Sequence, residues 1–264
     1  MRFFLLLAIL AAFFCVFFCA FPSSSAAGSS ILLVYRDDIP FYREIATKLT
    51  RKSEYEITLC ALKDWPACTK FHSCSYVLVF GDLAYKKVLE QPIKNSKIFA
   101  FFVTKCIRKG RNIFCYPLFP PLREVLRVLK KRFENAHFLV LYTPRTKWWI
   151  KNFPSSSSVS FFCLNVKDLR ESLRKAFKSK AKIYILAPDL FFMHRVFLKD
   201  VVRYSFIFSK ILVGLSLKMQ QFGVPFIIYY DYDSFWSNFD LNSLFSQKID
   251  IPLRLSVAPW YSTN

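Results

Sequence analysis

The stretch ILLVYRDDIPFYREIATKL, residues 31–49, sets the pattern that the rest of the chain repeats. Its first five residues are all apolar, which is typical of a buried parallel strand when turn signals flank the run. The polar turn Arg36-Asp37-Asp38 follows, and Pro40 suits the first turn of a helix. Beyond it the apolar residues recur at helical spacing, at Phe41, Ile45 and Leu49. The stretch therefore predicts a strand, a turn and a helix, and in open α/β sheets ligands bind at such turns.

The same alternation continues along the chain. Apolar or alternating runs predict strands at 56–59, 76–80, 97–103, 113–116, 138–142, 159–163, 183–186 and 225–230. Helical periodicity predicts helices at 83–89, 122–133 and 166–177, and a long helix at 197–222. The fold class is thus α/β, with parallel sheets covered by helices. Because the cycle restarts at Phe138, we expect two Rossmann-like lobes, 28–136 and 137–236, and a short segment, 237–264, that returns to the first lobe.

The N-terminus has the features of an export signal. Arg2 precedes nineteen uncharged residues, Phe3 to Phe21, and small residues lead up to Gly28. This order predicts a secretory signal peptide over 1–27, cleaved before Gly28. The apolar run is also just long enough to span a bilayer, so an uncleaved membrane anchor is the alternative. Either alternative predicts a periplasmic or extracytoplasmic protein.

The formal net charge of +20 is large for a chain of 264 residues. Such a charge can indicate nucleic-acid binding. Here the basic residues are spread through every predicted helix, and no nucleic-acid motif is present. We therefore predict no nucleic-acid partner, and leave open an attraction to anionic lipid or to an anionic partner.

Six of the eight cysteines lie beyond the predicted signal. In an oxidising compartment an even number suggests disulfides. Cys106 and Cys115 flank one short loop, and Cys68 and Cys74 flank another, so we expect these two pairs to be bonded. Cys60 and Cys163 would pair across the fold or stay free. A zinc site is less consistent with the sequence, because there is no CxxC and His72 is the only nearby histidine.

No catalytic or cofactor motif occurs. There is no glycine-rich phosphate loop, no GxSxG, and no zinc spacing among the three histidines. We predict no cofactor, no metal and no enzyme activity. The acid pairs Asp37-Asp38 and Asp231-Asp233 could act as acid and base, but such residues are more often turn formers and helix caps. Several aromatic residues could stack on a cationic ligand or belong to the core: Tyr35, Tyr142, Tyr230 and Trp236.

Four segments together resemble one family. They are residues 31–45, residues 77–89 with Gly81 and Ala84, residues 121–144, and residues 181–191 followed by GVPFIIYY at 223–230. In order and spacing, these segments are similar to the solute-binding proteins of ABC importers with the type I periplasmic-binding fold, in the branch associated with aromatic amino acid transporters. The resemblance covers about Ile31 to Tyr230. The chain departs from the family in its glycine-free C-terminal segment and in lacking a proline within 97–103.

The resemblance implies a function. Such proteins bind a small molecule between two lobes that close about a hinge, and then deliver it to a permease in the membrane. It implies an amino-acid-like ligand that meets the strand-end turns, at Asp37, Gly81, Asp82, Thr104, Thr143 and Asp189. Two alternatives are a degenerate fold that acts as a membrane-tethered sensory or interaction module, and an enzyme that uses one of the acid pairs.

Overall fold

A computed structural model of the chain describes residues 30–53, 55–68, 74–91, 93, 95–107, 111–154, 156–246 and 249–261. The predicted signal segment and His72 lie outside these residues. The described chain forms two compact units, of which the first ends at Tyr116 and the second begins at Pro117. No helix in the described ranges is long and apolar enough to cross a membrane.

The first unit is built on a five-stranded sheet. Its strands are β1 (Ile31–Tyr35), β2 (Ile57–Ala61), β3 (Tyr76–Phe80), β4 (Lys97–Val103) and β5 (Ile113–Pro117). Its helices are α1 (Pro40–Lys52), α2 (Trp65–Cys68) and α3 (Asp82–Glu90). The strand order is β2-β1-β3-β4-β5, and β1 pairs in parallel with both β2 and β3.

Both faces of the first sheet are covered. Leu32 and Val34 of β1 pack in one cluster with Ala84 and Val88 of α3. Ile31 and Leu33, which point to the other face, are also fully buried. A strand buried on both sides needs an unbroken apolar run, which explains why β1 shows no alternation in sequence.

The second unit has a six-stranded sheet. Its strands are β6 (Phe138–Tyr142), β7 (Val159–Cys163), β8 (Ile183–Leu186), β9 (Ile211–Gly214), β10 (Phe226–Tyr230) and β11 (Leu253–Val257). Its helices are α4 (Leu122–Arg132), α5 (Lys147–Ile150), α6 (Leu169–Phe177), α7 (Leu190–Met193), α8 (Arg195–Ile207), α9 (Leu217–Gln220), α10 (Tyr232–Asn238) and α11 (Asn242–Ser246). The strand order is β11-β10-β9-β8-β6-β7, with β11 antiparallel to β10.

The helices of the second unit lie on opposite faces of its sheet. Leu139 and Leu141 of β6 pack in one cluster with residues of α6 and α8. Phe138 and Val140, the alternate residues of the same strand, pack in another cluster with residues of α4. Helices α6 and α8 therefore form one layer, and α4 belongs to the other.

The two units share one topology. Counted within each unit, both sheets have the order 2-1-3-4-5, to which the second adds one antiparallel strand. The prediction of two α/β lobes with parallel sheets is confirmed. In this doubly wound order the direction of the crossovers reverses between strands 1 and 3, and ligands bind at the carboxyl ends of those strands. The reversal lies between β1 and β3 in the first unit and between β6 and β8 in the second.

Three boundaries differ from the sequence analysis. Helix α4 packs on the second sheet, so the second unit begins at Pro117 and not near residue 137. The predicted helix 197–222 is interrupted, because residues 211–214 form strand β9 between β8 and β10. Residues 253–257 form β11 in the second sheet, so this part of the C-terminal segment does not return to the first unit.

The cysteines pair in a different pattern from the one expected. Cys106 and Cys115 are bonded. Cys68 is bonded to Cys60, so the Cys68–Cys74 bond expected from their spacing is not formed, and Cys74 is a buried free thiol. The reason is geometric: Cys60 lies in β2, and the short helix α2 that follows brings Cys68 back to it. Cys163 is free and exposed.

Removing the Cys60–Cys68 bond should destabilise the first unit. The double variant Cys60→Ala/Cys68→Ala should lower the free energy of unfolding by about 2–3 kcal/mol, because the unfolded chain gains the freedom of an open loop. Urea denaturation measures this change. Cys163→Ala is the control and should have little effect. Peptide mapping under non-reducing conditions that found Cys68 linked to Cys74 would contradict this pairing.

Candidate functional site

At the strand ends of the first unit, Asp82 is bound by Thr104. Asp82 follows β3, and Thr104 follows the neighbouring strand β4. The backbone N–H of Thr104 donates to Oδ1 of Asp82 and the Thr104 hydroxyl donates to Oδ2, both at 2.7 Å. One threonine thus uses both carboxylate oxygens and ties the ends of two parallel strands together. The structure brings these two predicted site residues into direct contact.

Gly81 fills a position that only glycine suits. Its φ is +86°, and a Cβ there would lie 3.0 Å from the hydroxyl oxygen of Tyr42. The Tyr42 ring is stacked on Phe102, with 5.3 Å between ring centroids. Burial raises the pKa of the Tyr42 hydroxyl, and the charge of Asp82 raises it further. An aromatic cluster thus lies directly against this strand end, a feature that the sequence analysis did not identify.

The acid pair after β1 does not form a shared carboxylate site. Asp37 pairs with Lys63, whose Nζ lies 2.7 Å from Oδ2, and Asp38 pairs with Arg36. The hydrogen bond from Lys63 lowers the pKa of Asp37, and that from Arg36 lowers the pKa of Asp38. Two carboxylates that shared a proton would instead have one raised pKa. Asp37 and Asp38 therefore stabilise the turn after β1 through separate ion pairs.

The second acid pair belongs to a helix cap. Oδ1 of Asp231 accepts a hydrogen bond from the backbone N–H of Ser234, at the start of α10. This bond lowers the pKa of Asp231. Asp233 lies inside the first turn of α10, where a negative charge is favourable. Among the described residues no cluster of histidines, cysteines or acids could hold a metal ion.

In the second unit, Thr143 and Asp189 meet at the ends of β6 and β8. The Thr143 hydroxyl donates to Oδ2 of Asp189, and the backbone N–H of Phe191 donates to Oδ1 at 2.9 Å. Thr146 lies 3.5 Å from the same Oδ2. Asp189 is only 3% exposed, so these donors take the place of water around its carboxyl oxygens. The structure thus brings this predicted pair together as well, with Asp189 as the N-cap of α7.

An open cavity of about 470 Å³ lies against this strand end. Its polar lining comes from Thr143, Arg145, Asp189 and His194, and its apolar lining from Pro144, Val166, Leu190, Phe191 and Phe197. The rings of Phe191 and Phe197 are stacked with their centroids 4.3 Å apart, and His194 lies 5.2 Å from Phe197. The cavity occupies the point between β6 and β8 where an open α/β sheet binds its ligand.

Most of this cavity lining was not predicted from the sequence. The predicted helix begins at Phe197, whereas Asp189 already caps the short helix α7, and the chain turns at His194 before α8. The signal was present in Pro188-Asp189, because an aspartate after a buried strand often starts a helix. That cap brings the exposed apolar residues that follow it to the strand end.

The aromatic residues singled out from sequence have other roles. The Tyr230 hydroxyl donates to Glu124 at 3.0 Å, and burial raises the pKa of Tyr230. Trp236 is buried against Phe235 and Phe239. Neither residue lines the cavity, and neither do Tyr35 and Tyr142, within the described part of the chain.

With this geometry, the chain has a fold of the type I periplasmic-binding-protein class. No family model matches the chain, and no curated protein matches it in sequence.

Solved structures show the likeness of fold. One is the ligand-free, open structure of CD0873, a substrate binding protein with adhesive properties from Clostridium difficile. It is 12% identical, with 85% of this chain and 91% of that chain covered, at a TM-score of 0.60. Another is GanP, a glucose-galactose binding protein from Geobacillus stearothermophilus, 9% identical, with 88% and 98% covered, at 0.51. A third is the C-domain of LpoA from Haemophilus influenzae, a regulator of PBP1A, 13% identical, with 83% and 77% covered, at 0.50.

Replacing Asp189 should damage the fold and not only the site. Asp189→Ala leaves the Phe191 N–H and the Thr143 hydroxyl without their acceptor, so the free energy of unfolding should fall by about 2–4 kcal/mol. Denaturant titration measures the loss. Asp168→Ala is a matched control, because Asp168 is also an N-cap but its side chain makes no cap hydrogen bond. An Asp189 variant as stable as this control would show that the carboxylate is not held by the two strand ends.

The ion pair of Asp37 predicts a specific change in titration. In Lys63→Met the pKa of Asp37 should rise toward its ordinary value, because its main hydrogen-bond donor is gone. Carboxyl NMR resonances followed between pH 2 and pH 6 measure this. Asp38 is the internal control, since Arg36 is unchanged and its pKa should stay where it was. An unmoved Asp37 would mean that Lys63 does not bind it in solution.

Proposed function

We propose that this protein is an exported, non-catalytic binding protein with a small amino-acid-like ligand, bound at the cavity of the second unit. The observation that carries the proposal is the place of the cavity, between the carboxyl ends of β6 and β8. Its volume of about 470 Å³ is in the range of ordinary small-molecule sites, roughly 300–1,000 Å³. Apolar walls with a few polar groups are also usual for such sites.

The lining favours an aromatic or apolar side chain joined to a carboxylate. The stacked rings of Phe191 and Phe197 offer an apolar surface on which a third ring can pack. Arg145 is exposed at the cavity and can bind a carboxylate through two parallel hydrogen bonds. Asp189, which was predicted as a ligand contact, lines the cavity, and its oxygens accept internal hydrogen bonds. It would hold the cavity in shape without binding the ligand amine.

We also propose that the strand ends of the first unit, considered by themselves, can bind a polar ligand group. Asp82 is exposed, and Thr104 uses only two of the roughly four acceptor positions of its carboxylate. It can therefore accept a hydrogen bond from an ammonium group. Gly81 is the residue before Asp82, and its positive φ sets the turn that places this carboxylate at the strand end. Asp37 would contribute its charge from the neighbouring turn, where Lys63 partly balances it.

Delivery to an ABC permease in the membrane is the transport role that we propose, in the branch associated with aromatic amino acids. It is supported by the fold class and by a lining suited to an aromatic ligand. Two disulfides support export to an oxidising compartment.

A second function is an interaction module without a small ligand, tethered by an uncleaved N-terminal run. Leu190 at the cavity is 80% exposed, and Val166 is 46% exposed. Such open apolar side chains also suit a protein partner. The likeness to the LpoA C-domain, a regulator of PBP1A, is compatible with this alternative.

A ligand screen distinguishes the two functions. For this screen a protease site is inserted between Gly28 and Ser29 of the full chain, so that the N-terminal segment can be removed after folding. Thermal unfolding is then followed with each amino acid and with related aromatic acids. A true ligand at about 100 times its dissociation constant should stabilise the protein by about 2.7 kcal/mol.

A matched pair of variants locates the site. Phe197→Ala removes one of the two stacked rings and should abolish most of the stabilisation by the ligand. Phe206→Ala is the control, because Phe206 lies on the same helix but does not line the cavity. Equal loss in both variants, or none in Phe197→Ala, would place the ligand elsewhere. A flat screen on folded protein would favour the interaction module.

A further inference from the structure

The layer formed by α6 and α8 has an unusually basic outer surface. We name this surface the basic layer and define it by residues 167–182 and 195–207. These segments contain ten lysines and arginines, against three acidic residues. All ten basic residues are exposed: Lys167, Arg170, Arg174, Lys175, Lys178, Lys180, Lys182, Arg195, Lys199 and Arg203.

The acidic residues compensate little of this charge. Glu171 lies 3.9 Å from Arg174 and 3.7 Å from Lys175, at distances typical of weak surface pairs. The other two acids are Asp168 and Asp200. The basic layer therefore carries a net charge of about +7, which attracts anions over roughly a Debye length.

Large apolar side chains are exposed on the same helix as three of these charges. On α8, Val196 is 60% exposed, Phe206 67% and Ile207 61%. They share one helical stripe with Lys199 and Arg203, since the spacings are three, four and seven residues. Basic and apolar side chains on one exposed stripe are typical of helices that lie in a membrane interface.

The inner side of the basic layer is fixed by packing. Leu173 and Phe177 of α6 and Leu198 and Val201 of α8 are fully buried against the sheet. The ring of Phe177 also lies 6.0 Å from that of Tyr204, which joins the two helices. The exposed residues therefore sit on a rigid support, and binding would not need the layer to unfold.

We propose that the basic layer binds the surface of a bilayer that contains anionic phospholipid. Lipid phosphates would meet the lysines and arginines, while Phe206 and Ile207 would enter the boundary between headgroups and acyl chains. A nucleic acid would match the charge but would give these two apolar side chains no apolar environment. This inference does not depend on the small ligand of the proposed function.

Vesicle flotation tests the proposal. The full chain, with the same inserted protease site, is folded and then cleaved between Gly28 and Ser29. The N-terminal segment is removed because its apolar run would bind any bilayer. The protein is mixed with vesicles of phosphatidylcholine alone, or with about 30% phosphatidylglycerol. We expect flotation only with the anionic vesicles, and weaker flotation as salt is raised from about 0.05 to 0.5 M, because salt screens the attraction.

The chain provides a closely matched control for the location. The test variant is Arg170→Glu/Arg174→Glu/Lys178→Glu, on α6 and its C-cap. The control is Arg123→Glu/Arg127→Glu/Lys131→Glu on α4, which has the same residue types at the same spacing on the opposite face of the sheet. All six side chains are exposed, and both variants change the net charge equally. The test variant should bind anionic vesicles at least about tenfold more weakly, and the control nearly as well as the wild type.

Each other outcome overturns the proposal. Equal weakening in both variants would mean that net charge, and not the basic layer, attracts the vesicles. No flotation of the wild type would exclude lipid. If the wild type bound a 20-base-pair DNA but no vesicle, and the test variant lost that binding, the surface would be a nucleic-acid site.

Phe206→Ser/Ile207→Ser should also weaken vesicle binding, and full binding by this folded variant would exclude membrane insertion. Circular dichroism confirms that each variant is folded.

Discussion

The hydrogen bond between a strand-end aspartate and a threonine at the end of the neighbouring strand of the sheet organises both units. In the first unit Asp82 accepts from Thr104, and in the second Asp189 accepts from Thr143. Each bond joins the carboxyl ends of two neighbouring parallel strands, where the backbone ladder stops. Parallel strands leave polar groups open at that edge, and the aspartate satisfies some of them while it also starts the next helix. The turns that follow these strands are thereby held together.

The aspartates of the two units differ in burial, and therefore in their capacity to accept further hydrogen bonds. Asp82 is exposed and has acceptor capacity left, whereas Asp189 is 3% exposed. A buried carboxyl group needs hydrogen-bond partners, and Asp189 has them in Thr143 and in the backbone N–H of Phe191. As the N-cap of α7 it places this short helix and its apolar residues beside the strand end. The position of the cavity in the second unit thus depends on Asp189, which also lines it.

Much of the fold could be predicted from sequence, because strands buried on both faces are continuous apolar runs, as at 31–35, 76–80 and 138–142. Strand β9 was not predicted, because Ile211–Gly214 lies within a stretch that also fits helical periodicity. These residues form a strand because they pair between β8 and β10 in the folded sheet. The aspartates and threonines that meet at the strand ends could be identified, because a turn after a strand is recognisable from the local sequence. The aromatic lining could not, since it depends on the break at His194.

The antiparallel strand β11 has a consequence for how the chain is made. It pairs with β10 along its whole length, from Phe226 opposite Val257 to Tyr230 opposite Leu253. An uncovered strand edge invites pairing with another chain. During synthesis, the edge of β10 stays open until residues 253–257 have been made and have paired with it. Strand β11 therefore protects this edge from pairing with another chain only after the preceding strands of the second sheet have been made.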